Sequence, residues 1–149
     1  MDPKLIEALG AEPVSGDITV PATLDKALEG IELVFHLAGL IHPRRIPELF
    51  AINTDGTRNL LAAAERAGVK RFVYVSSNSV GGTNLRRDKL MTEDETPRPY
   101  MAYGRSKLLA EQAVHETQAG GKMETVIVRP CWFYGPGQPP RQTRFFKMI

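Results

Sequence analysis

The sequence predicts an α/β domain in which short parallel strands alternate with helices. Three apolar runs, at 31–37, 72–75 and 125–128, are rich in β-branched and aromatic residues. They are nearly continuous rather than alternating, which is typical of strands buried on both faces of a parallel sheet. Helical patterns fill the stretches between them. Strand, helix, strand, helix, strand is the order of a doubly wound parallel sheet with right-handed crossovers.

The first elements along the chain are short. A weak strand is expected at 13–15, followed by a short helix at 21–29. Pro21 stands near the start of that helix, where the missing N–H is not needed, and Gly30 ends it. The strand at 31–37 comes directly afterwards.

The second helix is predicted from Pro47 to Gly68. The residues of its buried face follow one another at spacings of three and four: Phe50, Asn53, Thr57, Leu61 and Ala64. The strand at 72–75 then leads into a polar segment at 81–99, which has charges and prolines and is typical of a long functional or disordered loop.

The third helix is predicted from 101 to 118. Two consecutive glycines, Gly120 and Gly121, end it. The strand at 125–128 follows and completes the alternating order.

Composition places one ordinary globular domain in residues 1–149. The chain has 149 residues, of which 42% are hydrophobic, which is enough for a single core. The net charge is +2, with both signs mixed along the sequence, so neither a nucleic acid nor a membrane surface is an expected partner.

Cys131 is the only cysteine, so the chain can form no internal disulfide and no multi-thiolate metal site. We expect a packed thiol there rather than a nucleophile, and a reducing, cytoplasmic location. The N-terminal residues do not resemble a signal peptide, and no apolar run approaches the roughly 20 residues that span a bilayer. The sequence therefore predicts a soluble protein with no metal site.

Tyr103 and Lys107 form the pattern with the most chemical content. Four residues apart on a helix, they share a face. An ammonium beside the tyrosine favours the phenolate, whose ordinary pKa is about 10, so the pair could move protons near neutral pH. The alternative is that Lys107 pairs with Glu111 on an exposed helix face. Because Tyr103 and Lys107 align with Ala110 and Val114, the lysine is expected to point inward.

Small or polar residues follow each predicted strand, where ligands of open α/β sheets bind. They are Asp17, Ala38 and Gly39, Ser76 and Ser77, and Arg129 and Pro130. Small side chains let a ligand approach the backbone closely. The sequence therefore predicts a site at the carboxyl edge of the sheet, beside the start of the Tyr103 helix.

Five segments together resemble the extended short-chain dehydrogenase/reductase family, also called the NAD-dependent epimerase/dehydratase family. They are VFHLAG at 34–39, INTDGTRNLL at 52–61, FVYVSSNSVGG at 72–82, PYMAYGRSK at 99–107 and RPCWFYGPG at 129–137. They have the order and spacing of the family's motifs and extend over essentially the whole chain. The resemblance implies a Rossmann-like fold.

The resemblance also implies roles for individual residues. Tyr103 would be the general acid/base, and Lys107 would lower its pKa and bind the nicotinamide ribose. Ser77 stands where the family has its catalytic serine or threonine and would hydrogen-bond the substrate oxygen. Ser76 is the alternative for that role.

The implied cofactor is NAD or NADP. Asp17 is expected near the adenine, Ala38 and Gly39 along the cofactor, and Pro130 near the nicotinamide. For Asn53, a cofactor contact and a structural role that holds its helix to the sheet remain equal alternatives. We interpret His36, at the end of a buried strand, as a satisfied core histidine.

The family's first strand, its Gly-x-x-Gly-x-x-Gly turn, the next helix and the second strand have no counterpart in the sequence. The chain therefore resembles a fragment, with a partial sheet that lacks the first two family strands. In the family strand order those two strands lie between the predicted strands at 13–15 and 31–37. The strand at 31–37 would then have an unpaired, apolar edge.

The implied activity is that of an NAD(P)-dependent oxidoreductase or epimerase acting on a hydroxyl or ketone carbon of a small molecule. Cys131-Trp132 and Val80-Gly81-Gly82 depart from the nucleotide-sugar pattern and favour a hydroxysteroid- or flavonol-type dehydrogenase/reductase. The alternatives are a non-catalytic dinucleotide-binding module and an inactive fragment. The family also implies a homodimer through the helices that contain Asn53 and Tyr103.

Overall fold

The computed structural model describes residues 3–84, 86–131, 135, 144, 147 and 148. Its centre is one parallel sheet of three strands in chain order: β1 (Leu33–His36), β2 (Arg71–Val75) and β3 (Glu124–Val128). The register sets Val34 opposite Phe72, and Phe72 opposite Thr125. The α/β class with a partial parallel sheet is thereby confirmed. That residues 1–149 form one domain stays a prediction.

In the described ranges 3–84 and 86–131, five helices accompany the sheet. They are α1 (Pro3–Ala8), α2 (Leu24–Ala27), α3 (Pro47–Leu49), α4 (Gly56–Ala67) and α5 (Ala102–Ala119). A 3₁₀ turn at Pro21–Thr23 leads into α2, and a second one at Asn78–Val80 follows β2. A π-helical segment at Phe50–Asp55 joins α3 to α4, so the helix predicted from Pro47 to Gly68 is continuous. It ends at Gly68, whose φ of 74° needs a glycine.

The helices α4 and α5 connect successive strands and pack on one face of the sheet. Val34, Phe72 and Tyr74 point into this layer, where they form one core with Leu61 of α4 and Val114 of α5. The carboxyl ends of the three strands therefore lie beside the first turn of α5.

The opposite face of the sheet is open within the described residues. Phe35 is 61% exposed, and its neighbours on that face, Leu33, Val126 and Val128, are exposed as well. The expectation that the strands are buried on both faces is thus wrong for β1 and β3. The apolar side chains are present, but no described segment packs on them.

Two predictions concern the region before and beside β1. The predicted strand at 13–15 is wrong: residues 11–17 have no regular structure and are exposed. A strand exists only through its pairing partner, and β1 is not one for this segment. The unpaired outer edge predicted for 31–37 is confirmed within the described residues, where β1 is the first strand of the sheet.

The segment 81–99 is a loop as predicted, with Leu85 outside the described residues. Among the helices of the described ranges, none combines the length and the apolar character needed to cross a membrane.

Candidate functional site

Ser77 lies where β2 ends and caps the 3₁₀ turn that follows. Its Oγ accepts hydrogen bonds from the backbone N–H of Ser79 at 3.2 Å and from the Ser79 hydroxyl at 2.9 Å. With both lone pairs used in this way, the Ser77 hydroxyl keeps its own proton to donate. A half-buried serine held by its own turn is therefore a fixed hydrogen-bond donor.

Tyr103 reaches this turn because Gly104 follows it. A Cβ at Gly104 would lie 2.6 Å from the carbonyl oxygen of Ser79, closer than real side chains come. The first turn of α5 thus packs directly on the serine turn, and the Tyr103 phenol contacts the Ser77 side chain. Sequence reasoning overlooked Gly104, although a glycine inside a helical pattern signals such close packing.

Lys107 lies one turn further along α5 and is only 4% exposed. Its Nζ donates a hydrogen bond to the carbonyl oxygen of Val75 at 2.8 Å and lies 4.2 Å from the centre of the Tyr74 ring. The prediction that Lys107 points inward is confirmed, and the exposed pair with Glu111 is not formed. The ammonium is therefore fixed two residues before Ser77.

Burial dominates the electrostatics of this pair. It lowers the pKa of Lys107 to about 8, against the opposing attraction of the Glu111 carboxylate. It raises the pKa of Tyr103, against the opposing contact with Ser77. The lower tyrosine pKa expected from the sequence is therefore wrong for the protein alone, because the phenolate would lose hydration and the ammonium is directed at Val75 and Tyr74.

Asn53 lies in the π-helical segment and is fully buried. Its Oδ1 accepts from the Leu40 N–H at 2.7 Å, and its Nδ2 donates to the Leu40 carbonyl at 2.9 Å and to Ser106 Oγ at 3.0 Å. The amide thus joins the loop after β1 to α5. The sequence left open a cofactor contact and a structural role for Asn53, and these contacts correspond to the structural role.

Ala38 and Gly39 are exposed where β1 ends. A Cβ at Gly39 would lie 3.3 Å from the Asn53 amide oxygen, so a larger residue at this position would make a close contact with Asn53. Exposed backbone without a bulky side chain leaves room for a ligand at this strand end.

Pro130 lies beside the serine turn. The Asn78 N–H donates to the Pro130 carbonyl at 3.2 Å, and the Ser76 N–H donates to the Val128 carbonyl at 2.7 Å. The segments that leave β2 and β3 are therefore joined, and Pro130 is half-buried next to Ser77.

Asp17 occupies an exposed turn that is anchored on α4. Its carboxylate accepts from the Thr19 N–H at 2.8 Å and the Thr19 hydroxyl at 2.7 Å, and both bonds lower its pKa. The turn is held because Asn59 Nδ2 donates to the Ile18 carbonyl at 2.9 Å and Ile18 packs on Gly56. Asp17 thus presents an ionised carboxylate on a fixed turn.

His36 is a satisfied core histidine, as expected. Its Nε2 is 2.9 Å from the Thr57 hydroxyl, and its ring packs against Phe72 and Tyr74. Burial, together with the Lys107 charge, lowers the pKa of His36 to about 4, so the ring is neutral at physiological pH.

Cys131 is exposed, which corrects the packed thiol expected from the sequence. Trp132 lies outside the described residues.

Two features of the site were not foreseen. Glu111 is 1% exposed and receives two hydrogen bonds from Arg129, at 2.9 and 2.6 Å. Among the described residues, the buried hydroxyls of Tyr74 and Ser76 have no well-aligned hydrogen-bond partner, although the Thr57 hydroxyl lies close enough to Tyr74 to oppose the rise of its pKa. The described part of the chain has no cluster of side chains suited to a metal ion.

Comparison with known proteins gives a consistent set of relatives. The chain is 48% identical over 143 residues to the protein y4nL of Sinorhizobium fredii, which covers 94% of this chain and 40% of the relative. It is 37% identical over 148 residues to a 3β-hydroxysteroid dehydrogenase/Δ5→4-isomerase of Mycobacterium tuberculosis, covering 93% of this chain and 39% of that protein. The chain thus spans about two fifths of the length of these relatives.

Solved structures agree with the fold. A short-chain dehydrogenase/reductase superfamily protein from Agrobacterium tumefaciens with bound NAD matches with a TM-score of 0.74 and 40% identity, over 82% of this chain and 38% of that one. RMD from Pseudomonas aeruginosa, complexed with NADPH, matches with a TM-score of 0.79 and 30% identity, over 87% and 47% of the two chains.

The family model that matches the sequence extends over residues 2–149, which is nearly the whole chain. Together with the parallel sheet and the relatives above, this match shows that the chain belongs to the NAD dependent epimerase/dehydratase family.

Proposed function

We propose that the chain carries the catalytic core of an NAD(P)-dependent oxidoreductase acting on a hydroxyl or ketone carbon. The observation that supports the proposal is the convergence of Ser77, Tyr103 and Lys107 at the carboxyl end of β2. Tyr103 contacts Ser77, and Lys107 is bonded to the carbonyl that precedes Ser76. A donor, an acid/base and a cation within one turn of each other are the groups that proton transfer at a carbonyl needs.

Each side chain has one task in this proposal. Ser77 donates its remaining proton to the substrate oxygen and so fixes its position. Tyr103 takes the proton of a substrate hydroxyl, or returns one to a ketone oxygen. Lys107 keeps a positive charge beside the phenol while that proton moves.

The donors of this edge fit the nicotinamide-ribose end of a dinucleotide. The Lys107 ammonium has three N–H donors, of which one goes to Val75, so further donors remain for ribose hydroxyls. When bound, NAD or NADP would supply the hydride donor or acceptor. Ala38 and Gly39 would lie along it, with Asn53 behind them.

The remaining cofactor contacts belong to the same proposal. Pro130 would lie near the nicotinamide and Asp17 near the adenine. The sequence has no Gly-x-x-Gly-x-x-Gly turn to hold a pyrophosphate. A second candidate function is a non-catalytic dinucleotide-binding module, in which the same strand ends hold the dinucleotide and nothing is turned over.

A hydroxysteroid- or flavonol-like substrate is favoured over a nucleotide sugar. The space beside Gly81 is filled by the thioether of Met91, since a Cβ at Gly81 would overlap the Met91 sulfur. A tyrosine, which nucleotide-sugar members often have there, would require the Met91 side chain to move. An apolar side chain beside Gly81 suits an apolar alcohol, and the Mycobacterium tuberculosis relative is named for a hydroxysteroid activity.

The test begins with binding. NAD, NADH, NADP and NADPH are titrated calorimetrically into the purified 149-residue chain. Micromolar binding that Lys107→Ala weakens, and that Lys122→Ala at an exposed position leaves unchanged, supports the cofactor site. A folded chain that binds no dinucleotide contradicts it.

Turnover is tested next with hydroxysteroid and nucleotide-sugar panels, by following nicotinamide absorbance. Tyr103→Phe removes only the proton-transferring hydroxyl, and Tyr100→Phe, at an exposed position three residues earlier, is the matched control. We expect loss of turnover in the first variant and none in the second. Dinucleotide binding without turnover on either panel would favour the non-catalytic module. Association of two copies through the helices that contain Asn53 and Tyr103 remains a prediction for sedimentation analysis of the same samples.

A further inference from the structure

Glu111 lies one helical turn beyond Lys107 on the inward face of α5. Both side chains are buried, at 1% and 4% exposure. A buried ammonium favours its neutral form unless an opposite charge lies nearby, and the Glu111 carboxylate opposes the effect of burial on Lys107. The helix thus places an anion next to the cation on which the proposed site depends.

The groups that face Lys107 come from several elements. Glu111 is on α5 itself, Tyr74 comes from β2 and His36 from β1, and Tyr103 lies one turn before Lys107 on the same helix. His36 is neutral at physiological pH, and burial holds the pKa of both tyrosines above its ordinary value. Among these groups, Glu111 is therefore the single negative charge.

Arg129 determines what the carboxylate can do. Its Nε and Nη2 each donate to a different oxygen of Glu111, at 2.9 and 2.6 Å. A carboxylate held by this two-point contact has a fixed position. It therefore does not draw the ammonium away, and Lys107 donates to the carbonyl of Val75 instead.

We propose that Glu111, locked in place by Arg129, is a positioning residue that keeps Lys107 charged and directed at the end of β2. The pair acts through Lys107 and touches no substrate. This inference deepens the proposed function and rests on it for its biological meaning, but its first test does not need activity.

The first test measures the titration of Lys107 directly. Lysine side chains are isotope-labelled and followed by NMR against pH, and the Lys107→Gln variant identifies the signal. In Glu111→Gln the Lys107 pKa should fall by about one unit or more, as expected for the loss of a nearby opposite charge. Glu116→Gln, at an exposed position on the same helix, should leave the titration unchanged.

The variant Arg129→Met supplies the opposite prediction. It removes a positive charge and leaves the carboxylate, so the Lys107 pKa should stay the same or rise. Loss of packing alone would shift Lys107 in the same direction in both variants. An unchanged Lys107 pKa in folded Glu111→Gln, or equal shifts in Glu111→Gln and Arg129→Met, would overturn the proposal.

A double variant keeps the test valid if Glu111→Gln does not fold. Glu111→Gln/Arg129→Gln replaces the ion pair by two amides that can hydrogen-bond to each other. Its Lys107 pKa should lie below that of the wild type, because Glu111 lies one helical turn from Lys107 and is the charge that acts on it. A value equal to or above that of the wild type contradicts the proposal.

The outcomes separate this inference from the proposed function. If Lys107 responds to Glu111 and the protein turns nothing over, the function fails and the positioning role stands. If turnover depends on Tyr103 but the Lys107 pKa is unchanged in Glu111→Gln, only the positioning role fails. Where turnover is found, Glu111→Gln should move the alkaline limit of its pH profile to lower pH and Glu111→Asp should move it back.

Discussion

Lys107 is a residue of the described site whose charged form is disfavoured by burial. Burial lowers its pKa from the ordinary 10.5 to about 8. Between these values the unfolded chain holds a proton that the folded chain has released, so the free energy of unfolding should rise with pH from about 8 upward. Above pH 10 the tyrosines titrate as well, and the range from 8 to 10 is therefore the informative one.

This dependence is measured by urea unfolding of the wild type and of Lys107→Met. We expect the free energy of unfolding to rise between pH 8 and 10 in the wild type. In Lys107→Met it should stay constant, because the group that titrates in this range has been removed. Lys122→Met, at an exposed position, should behave as the wild type does. Parallel pH profiles for the wild type and Lys107→Met would show that the buried ammonium is not the group that titrates.

Asn53 is the residue whose loss should cost most stability. Its amide makes three hydrogen bonds in a fully buried position. Asn53→Leu leaves the half-buried Leu40 N–H and carbonyl without their partners, and an unsatisfied polar group costs about 1–3 kcal/mol when it is fully buried and less where water reaches it. We expect a loss of about 1–3 kcal/mol in chemical denaturation. Asn78→Leu is the control, at an exposed position where no side-chain bond is broken.

At the scale of elements, the contact between α5 and the serine turn is the feature that builds the site. Gly104→Ala would force a Cβ against the Ser79 carbonyl, so the helix and the turn must separate. Overpacking of this kind costs about 1–3 kcal/mol. Because Tyr103 and Ser77 move apart, Gly104→Ala should reduce the free energy of dinucleotide binding by more than it reduces the free energy of unfolding. Gln112→Ala on the exposed face of α5 serves as the control, and equal binding by both variants would contradict the expectation.

The elements themselves were predictable because their signals are local. The stripe from Phe50 to Ala64 and the glycine at position 68 predicted the long helix, and it forms over that range. Its π-helical turn was not predicted, since the wider turn arises from the contacts of Asn53 and Thr54 with Ser106 on another helix. Partners that lie far apart in the sequence leave no periodic signal.

The candidate site shows the same division. The inward direction of Lys107 followed from its helical stripe, whereas the bond between Glu111 and Arg129 did not. That bond depends on where the residues after β3 lie relative to α5, which the sequence pattern does not specify. The strand expected at 13–15 failed for a related reason, because a strand needs a partner as well as a suitable sequence.

For the whole molecule, the open face of the sheet exposes apolar side chains to contact with other copies of the chain. Phe35 and Leu33 are exposed on that face, and β1 has an unpaired edge among the described residues. Exposed apolar strands at a sheet edge promote association. The 149-residue chain should therefore self-associate in a concentration-dependent way in analytical ultracentrifugation.

Neighbouring residues of β1 provide a matched test of this idea. Phe35→Lys places a charge on the open face and should reduce association with little change in stability. Val34 is 9% exposed and belongs to the core, so Val34→Lys places the same charge there and should unfold the protein. If Phe35→Lys unfolds the chain as Val34→Lys does, that face is covered in solution. A wild-type chain that stays monomeric at all concentrations would instead show that an exposed apolar edge of this size does not drive association.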